Sequence, residues 1–255
     1  MIGLAGGVKT IPFYPRGRKL PPLWAVSLTG LALLLVFPVA STLTKIALLL
    51  FAAGTWAALA KLAWRSKWWR VALLAVPVMA VVPFCLPGRP IDTDALRADY
   101  VRRMSALEGT WYVWGGENRV GIDCSGLPRR ALRDSLFSDG LRHANGRSFR
   151  AWLEQWWFDA SAKSLGEGYR GYTVPLDSGG TIRTMDYAHL RPGDLAVTTS
   201  GRHVLAYMGN GLWIQADPGI GHVATLDGRT ADNSWFDTPV TTHRWAILSF
   251  EDLSR

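Results

Sequence analysis

The chain has 255 residues and a formal net charge of +8. This charge is unevenly distributed: residues 1–88 contain nine Lys and Arg residues and no Asp or Glu, whereas residues 89–255 contain the other 19 basic residues and all 20 acidic ones. The positive charge therefore belongs to the N-terminal portion, and the remainder is close to neutral. Nucleic-acid binding, which a high isoelectric point often indicates, is not expected here.

Three apolar runs follow one another in the N-terminal portion. The first, over residues 20–44, has no charged residue, and about 20 apolar residues span a bilayer. The second, over residues 46–60, reaches this length if Lys45 and Lys61 extend their ammonium groups to the lipid headgroups. A signal peptide followed by an apolar stem is the alternative, although the first run is longer than a signal peptide requires. We predict that residues 1–90 form a membrane anchor with three transmembrane helices, at about 20–42, 44–64 and 70–88.

Lys and Arg residues indicate the orientation of these helices, because cytoplasmic loops are enriched in them. Four precede the first run, four lie between the second and third runs, and only Lys45 lies between the first and second. This pattern predicts a multi-pass protein of the inner, cytoplasmic membrane with an extracytoplasmic C-terminal domain. If the second run lay along the membrane surface instead, the C-terminal domain would be cytoplasmic.

The C-terminal domain, residues 91–255, begins with helical periodicity. A helix is predicted over residues 94–108, capped by Thr93, and a second helix begins at Cys124 after a glycine-rich loop. Residues 138–185 form a predicted insertion with one helix over 148–165. The aromatic residues of that helix fit either packing on the core or a lid over a site.

Strand periodicity follows Pro192-Gly193-Asp194. Five strands are predicted, over residues 195–199, 203–208, 212–216, 222–226 and 243–250. Helices followed by an antiparallel sheet are typical of an α+β fold.

Cys124 lies among small polar residues, in the segment Asp123-Cys124-Ser125-Gly126. At the start of a helix, unpaired backbone N–H groups and the positive end of the dipole lower a cysteine pKa from about 8.5. The same N–H groups stabilise a tetrahedral oxyanion. Cys124 is therefore a candidate nucleophile. The alternatives are an inert buried thiol for Cys124 and a helix cap for Asp123.

His203 and Gln215 occupy the two strands of a predicted hairpin centred near Gly209. This arrangement brings them roughly opposite one another, so that Gln215 can accept a hydrogen bond from one imidazole nitrogen and leave the other nitrogen for the sulfur. Each residue alone also fits an ordinary structural position in a strand.

Five segments together resemble the NlpC family, papain-like cysteine peptidases that hydrolyse bacterial cell-wall peptides. The segments, in the order of the family, are Tyr112-Val113-Trp114-Gly115-Gly116, Asp123-Cys124-Ser125-Gly126-Leu127, Pro192-Gly193-Asp194-Leu195, His203-Val204 with Tyr207-Met208-Gly209, and Trp213-Ile214-Gln215-Ala216. The resemblance implies that Cys124 is the nucleophile, His203 the base and Gln215 the polar third residue. It further implies that Tyr112 lies near the oxyanion and that Asp123 and Ser125 bind or shape the substrate side. Tyr112 also fits a core aromatic residue.

The sequence departs from the family pattern at Pro128, which removes a backbone donor near the start of the Cys124 helix. That helix is therefore expected to begin a residue or two later than usual. The long segment 138–185 is the second departure.

These observations predict a membrane-anchored cysteine hydrolase that cleaves an amide of peptidoglycan stem peptides. By resemblance, the scissile bond joins D-glutamate to a diamino acid. The alternatives are a cysteine amidase or acyltransferase acting on a lipid or protein amide, and an inactive binding module of the cell envelope. The predicted partners are the peptidoglycan peptide and the lipid bilayer, the oligomeric state stays open, and no cofactor is predicted. No metal site is predicted either, because the histidines outside the motifs lack ligand spacing, namely His143, His189, His222 and His243.

Overall fold

The computed structural model describes residues 22–64 and 66–249. Four parts of the predictions lie outside these residues: the start of the first span at Leu20, the basic residues before it, Arg65, and the end of the last strand at Phe250.

Three helices form the N-terminal portion: α1 (Leu23–Val36), α2 (Thr42–Ala63) and α3 (Lys67–Cys85). Among the described residues, α2 and α3 are the two helices that are long and apolar enough to cross a membrane. With 22 residues, α2 is about 33 Å long. Helix α1 has 14 residues and ends earlier than the predicted span, because Pro38 disfavours helical backbone at Phe37.

Within residues 91–249, the structure describes four further α-helices and six strands. The helices are α4 (Thr93–Ser105), α5 (Gly126–His143), α6 (Gly146–Trp157) and α7 (Ala162–Gly166). The strands are β1 (Thr173–Thr181), β2 (Leu195–Thr198), β3 (Val204–Gly209), β4 (Leu212–Asp217), β5 (His222–Asp227) and β6 (Pro239–Trp245). They form one antiparallel sheet in the order β1-β6-β2-β3-β4-β5. This architecture confirms the predicted α+β fold.

Several predicted elements differ from the structure. The predicted helix over 148–165 is two helices, α6 and α7, separated by residues 158–161. The first helix of the domain is capped by Asp92 rather than Thr93, since the Asp92 carboxylate accepts the N–H groups of Asp94 and Ala95. The helix expected to begin at Cys124 begins at Gly126.

The sheet also has an unpredicted strand and a displaced one. Strand β1 lies in the predicted insertion 138–185, where only a helix is predicted, and it pairs with β6 across a bulge between Pro175 and Gly179. The last strand, β6, ends at Trp245 and is followed by a short 3-10 helix, so the strand predicted over 243–250 lies about four residues too late.

Two hydrophobic cores pack against the sheet, one on each face. Helices α4 and α5 cover one face, where buried side chains such as Tyr100, Leu132 and Ile214 pack together with Cys124. On the other face, Trp213 packs against Phe236 and Ile182 from the connecting segments. Because α5 is fixed against the first face, the residues at its N-terminus lie beside the ends of β3 and β4.

The N-terminal helices contact the C-terminal domain at two places. Residues 36–40, between α1 and α2, run beside residues 115–118 and form a β-bridge between Val39 and Gly116. The C-terminal end of α3 packs on α6, where the Phe84 ring stacks with Trp152 at a centroid distance of 6.3 Å. The helix predicted as either a core helix or a lid, α6, therefore joins α3 to α5.

Candidate active site

The Asp123 carboxylate organises the turn that carries Cys124. Its Oδ1 accepts the Gly126 N–H (2.6 Å) and the Ser125 hydroxyl (3.0 Å), and its Oδ2 accepts the Gly115 N–H (2.9 Å). Burial is the main cause that raises the pKa of Asp123, and these hydrogen bonds oppose it. Asp123 thus closes the start of α5 and ties the glycine loop to it, as the helix-cap alternative expects.

Gly116 and Gly126 are required where these two segments cross. A Cβ atom on Gly126 would lie 2.1 Å from the Gly116 carbonyl oxygen, and a Cβ on Gly116 would lie 2.5 Å from the Gly121 carbonyl oxygen. Both distances are too short for any side chain. The crossing holds Cys124 directly before α5.

The Cys124 thiol is buried, with 8% of the residue exposed. Burial and the neighbouring Asp123 raise its pKa to about 12, although the backbone N–H groups of Val204, Ser125 and Cys124 act in the opposite direction. The N–H groups that would stabilise a thiolate are therefore in place, but the sulfur is protonated in the absence of a ligand.

His203 lies at the start of β3 and is 1% exposed. Its Nε2 is 2.6 Å from Gln215 Oε1 on the neighbouring strand β4. Burial lowers the pKa of His203 to about 4, and the hydrogen bond with Gln215 only partly offsets this effect. The imidazole is therefore neutral at pH 7, with Nε2–H donating to Gln215 and Nδ1 left as the basic nitrogen.

Trp235 fixes the plane of the same imidazole ring. The two rings are stacked, with centroids 4.2 Å apart and an interplanar angle of 15°. The indole Nε1–H donates to Asp217 Oδ1 (3.3 Å), and Asn233 donates to Asp217 Oδ2 (2.7 Å). Asn233 and Trp235 lie about 30 residues after His203 and outside any recognisable motif. The sequence therefore contains no signal that marks them as site residues.

A cleft of about 530 Å³ lies in front of these groups. Of the six predicted site residues, five line it, and Gln215 lies behind His203 with no exposed surface. The five are Tyr112, Asp123, Cys124, Ser125 and His203. Burial, together with the nearby thiol, raises the pKa of Tyr112 to about 12, so that its hydroxyl stays a hydrogen-bond donor. The structure therefore brings all six residues to one place.

The far wall of the cleft contains residues that the sequence analysis did not predict. Ala40 comes from the loop between α1 and α2, and residues 159–162 come from the segment before α7. Asp159 forms ion pairs with Lys45 of α2 and with Arg129 of α5. Lys45 is 4% exposed, whereas the Asp159 side chain is 35% exposed and lines the cleft.

Arg129 continues this charged group into α5. Its Nη1 lies 2.5 Å from Glu117 Oε1, and the other oxygen of Glu117 lies 2.6 Å from Arg133 Nη1. Each of the carboxylates Asp159 and Glu117 is thus shared by two cations. Removing one partner of a buried charge pair strongly destabilises the fold, because it leaves the other charge without compensation.

Pro128 is the third residue of α5. The flanking residues Leu127 and Arg129 donate their N–H groups to the carbonyls of Asp123 and Ser125, so the hydrogen bond that Pro128 cannot make is the one to the Cys124 carbonyl. The departure from the family pattern at this position leaves the Cys124 turn intact.

The NlpC/P60 family model matches residues 109–240, slightly more than half of the chain. The chain belongs to the NlpC/P60 family. The matched segment of this NlpC/P60 protein contains all six predicted site residues, and it excludes α1, α2 and α3. A search of curated proteins gave no match.

The solved structures that this chain matches include the following three proteins. NlpC1 from Trichomonas vaginalis is 19% identical, with a TM-score of 0.39 and coverage of 58% of this chain and 43% of that one. The peptidoglycan hydrolase RipB from Mycobacterium tuberculosis is 22% identical, with a TM-score of 0.36 and coverage of 59% and 65%. An NlpC/P60 family protein from Bacillus cereus is 17% identical, with a TM-score of 0.39 and coverage of 58% and 40%. The NlpC/P60 chain described here thus spans less than two thirds of each of these proteins.

The described residues of this NlpC/P60 protein, 22–64 and 66–249, contain no group of three His, Cys, Asp or Glu side chains placed to hold a metal ion. The cleft contains groups that can take part in a reaction, among them a thiol, an imidazole, a phenol and backbone N–H groups.

Proposed function

We propose that this protein is a membrane-anchored cysteine hydrolase that cleaves an amide bond in peptidoglycan stem peptides. The observation that carries the proposal is the hydrogen bond of 2.6 Å between His203 and Gln215, made at the back of the cleft that Cys124 lines. This bond fixes the imidazole tautomer that has a free basic nitrogen, which is the requirement for a base that activates a thiol.

In the proposed reaction, His203 Nδ1 takes the proton of the Cys124 thiol while the sulfur attacks the carbonyl carbon of the amide. A thioester forms when the C–N bond breaks, and the imidazolium gives its proton to the departing amine. Water then attacks the thioester, with His203 again accepting a proton, and releases the carboxylic acid and the thiol.

The oxyanion of the tetrahedral intermediate is stabilised in this proposal by the backbone N–H of Cys124 and by the Tyr112 hydroxyl. The Tyr112 phenol stays protonated because its pKa is raised, so its hydroxyl can donate. In other enzymes, one hydrogen-bond donor to the oxyanion stabilises the transition state by about 3 kcal/mol. Ser125 and Asp123 then lie on the substrate side of the cleft. Membership of the NlpC/P60 family supports an amide substrate from the cell wall, and within that class we propose the bond between D-glutamate and the diamino acid.

Residues 1–90 are proposed to anchor the domain with three transmembrane helices and to place it outside the cytoplasm. The contact between Val39 and Gly116 supports this topology, because it requires the α1–α2 loop and the C-terminal domain to lie on the same side of the membrane. Two spanning helices, α2 and α3, give this arrangement in either orientation, and the distribution of Lys and Arg residues favours the orientation in which the N-terminus and the α2–α3 loop are cytoplasmic.

The chemical test is mass spectrometry of fragments released from purified sacculi by the full-length protein in detergent, alongside Cys124→Ala. We expect a new amine terminus on the diamino acid with the wild type and none with the variant. Release by Cys124→Ala at a rate close to wild type would reject a cysteine mechanism. A thiol-reactive probe that labels Cys124, combined with no release from any sacculus, would favour a cysteine amidase or acyltransferase with another substrate. Absence of labelling and of release would favour a binding module.

The topology test uses a reporter that is active only outside the cytoplasm. A fusion at Arg255 is expected to be active and a fusion at Ser66, between α2 and α3, inactive. The opposite result would place the cleft in the cytoplasm and remove the cell wall as a substrate.

A further inference from the structure

The loop between α1 and α2 is built into the cleft by backbone hydrogen bonds. Ala40 N donates to the Gly115 carbonyl (2.8 Å), and Glu117 N donates to the Pro38 carbonyl (2.9 Å). The Asn118 amide donates to the Phe37 carbonyl (2.9 Å) at the end of α1. Ala40 therefore has a fixed place in the cleft wall.

A second cavity of about 290 Å³, called here the hairpin pocket, adjoins the cleft. The two cavities are neighbours, and they share Ala40 and Glu117 in their linings. Helices α1 and α2 contribute the apolar side chains of Leu34, Leu35 and Leu48 to the hairpin pocket. They also contribute Thr44 and Lys45, and the charge of Lys45 is paired with Asp159. The hairpin pocket thus lies next to the cleft at Ala40, between the two N-terminal helices and the C-terminal domain.

The opposite lining of the hairpin pocket comes from α5 and α6 and is polar and aromatic. Arg130 pairs with Asp134 at 2.8 Å, so the charges of this pair compensate one another. The indole rings of Trp152 and Trp156 lie beside them and stack with centroids 6.5 Å apart. Tryptophan is enriched where one end of a side chain meets hydrocarbon and the other meets water. The hairpin pocket is therefore mainly apolar where α1 and α2 line it, and polar and aromatic where α5 and α6 line it.

The depth of the hairpin pocket follows from the position of Leu48. Helix α2 begins at Thr42, so Leu48 lies about 9 Å along its axis. When α2 spans the bilayer, Ala40 is at the level of the headgroups and Leu48 is within the hydrocarbon layer. The cleft then lies near the membrane surface, and the part of the hairpin pocket that Leu48 lines lies at the depth of the lipid chains.

We propose that the substrate is an amphiphile: its amide-bearing head occupies the cleft at Cys124, and its lipid chain passes Ala40 and enters the hairpin pocket. This inference rests on the proposed hydrolase function and narrows its substrate to a stem peptide carried by a membrane-embedded lipid. A peptide within the polymeric wall offers no apolar chain for Leu34, Leu35 and Leu48, whereas a lipid-linked peptide fills both cavities at once.

The test compares two substrates in proteoliposomes that contain the full-length protein. One is a soluble stem peptide, and the other is the same peptide attached to a polyprenyl lipid in the bilayer. The informative variant is Leu48→Trp, which fills the hairpin pocket without reaching the Cys124 cleft. Leu49→Trp is the matched control, because the adjacent side chain is 49% exposed and lies outside the pocket lining.

With the wild type, we expect kcat/KM to be at least about tenfold higher for the lipid-linked peptide, which corresponds to about 1.4 kcal/mol. Leu48→Trp should remove most of this preference and Leu49→Trp should keep it. If Leu48→Trp and Leu49→Trp preferred the lipid-linked peptide equally, the inference would be overturned, because concentration of that peptide in the bilayer would then explain the effect. Equal hydrolysis of both peptides by the wild type would also overturn it while leaving the hydrolase proposal intact. Hydrolysis of neither peptide, with Cys124 still reactive to a thiol probe, would instead reject the hydrolase proposal.

Discussion

Replacing Gln215 with Ala tests whether the His203 tautomer controls the reaction. Gln215 Oε1 lies 2.6 Å from His203 Nε2, and neither residue is more than 1% exposed, so water does not readily replace the lost acceptor. A buried donor without a partner costs about 1 to 3 kcal/mol, and each 1.36 kcal/mol is tenfold in rate. If this cost falls on the reactive tautomer, kcat/KM should fall about 5- to 150-fold. His203→Ala should be more severe, because a general base contributes about 10² to 10⁴.

The assay for this prediction is hydrolysis of a stem peptide by the full-length protein between pH 4 and 9. Gln215→Asn and Gln215→His serve as comparisons, because each retains an acceptor for an imidazole N–H, and both should keep measurable activity. Thermal melting checks that the Gln215→Ala protein is folded. Wild-type kinetics for Gln215→Ala at every pH would refute the reasoning, and the orienting group would then be sought at Asp217.

Three further outcomes are expected. Cys124→Ala should lose all turnover and Cys124→Ser nearly all, while both keep the wild-type circular dichroism spectrum; substantial residual turnover would contradict the nucleophile assignment. Trp235→Ala should lower kcat more than it raises KM, and Trp235→Phe should restore much of the loss; equal kinetics of the Ala and Phe variants would argue against stacking as the cause. The free energy of unfolding should fall as the pH drops from 6.5 towards about 4, because the unfolded chain takes up a proton on His203 that the folded protein excludes. The loss is on the order of 3 kcal/mol, and His203→Asn should flatten this limb of a denaturation series. The same relation predicts a fall above pH 9.0, the ordinary value for Cys124, as the unfolded thiol ionises before the folded one; a stability that does not change over either range would contradict the burial argument.

The candidate site was accessible from the sequence because its chemistry lies in short local patterns. The turn around Cys124 depends on neighbouring residues: Asp123 caps α5, and Gly126 permits the close crossing. His203 and Gln215 lie on adjacent strands of one hairpin, so a correct strand assignment is enough to bring them together. Helices α4 and α5 and strands β2 to β5 follow from similar local patterns.

Strand β1 could not be predicted because its composition resembles that of a loop. It contains Pro175, Asp177, Gly179 and Gly180, which are depleted in strands. As an edge strand it pairs only with β6, and proline and a bulge are tolerated at an edge. Pairing with β6 thus outweighs the local preference.

The contribution of the N-terminal helices to the cleft could not be predicted either. Ala40 and Gly115 are 75 positions apart, and neither carries a chemical signal that points to the other. The Lys45–Asp159 ion pair is similarly remote in sequence, and the position of Lys45 between two apolar runs predicts only a residue that reaches the lipid headgroups. Contacts of this kind depend on how two separately folded portions meet.

The pairing of residues 36–40 with residues 115–118 also determines how this protein should be handled as a reagent. A fragment that starts near residue 90 would retain every predicted site residue and would look like a complete soluble enzyme. It would nevertheless leave the Gly115 carbonyl, the Glu117 N–H and the Asn118 amide without the hydrogen-bond partners that they have here, and it would expose the buried Arg129 and Glu117 cluster to water. Activity measured on such a fragment would describe an enzyme with one wall of its cleft missing.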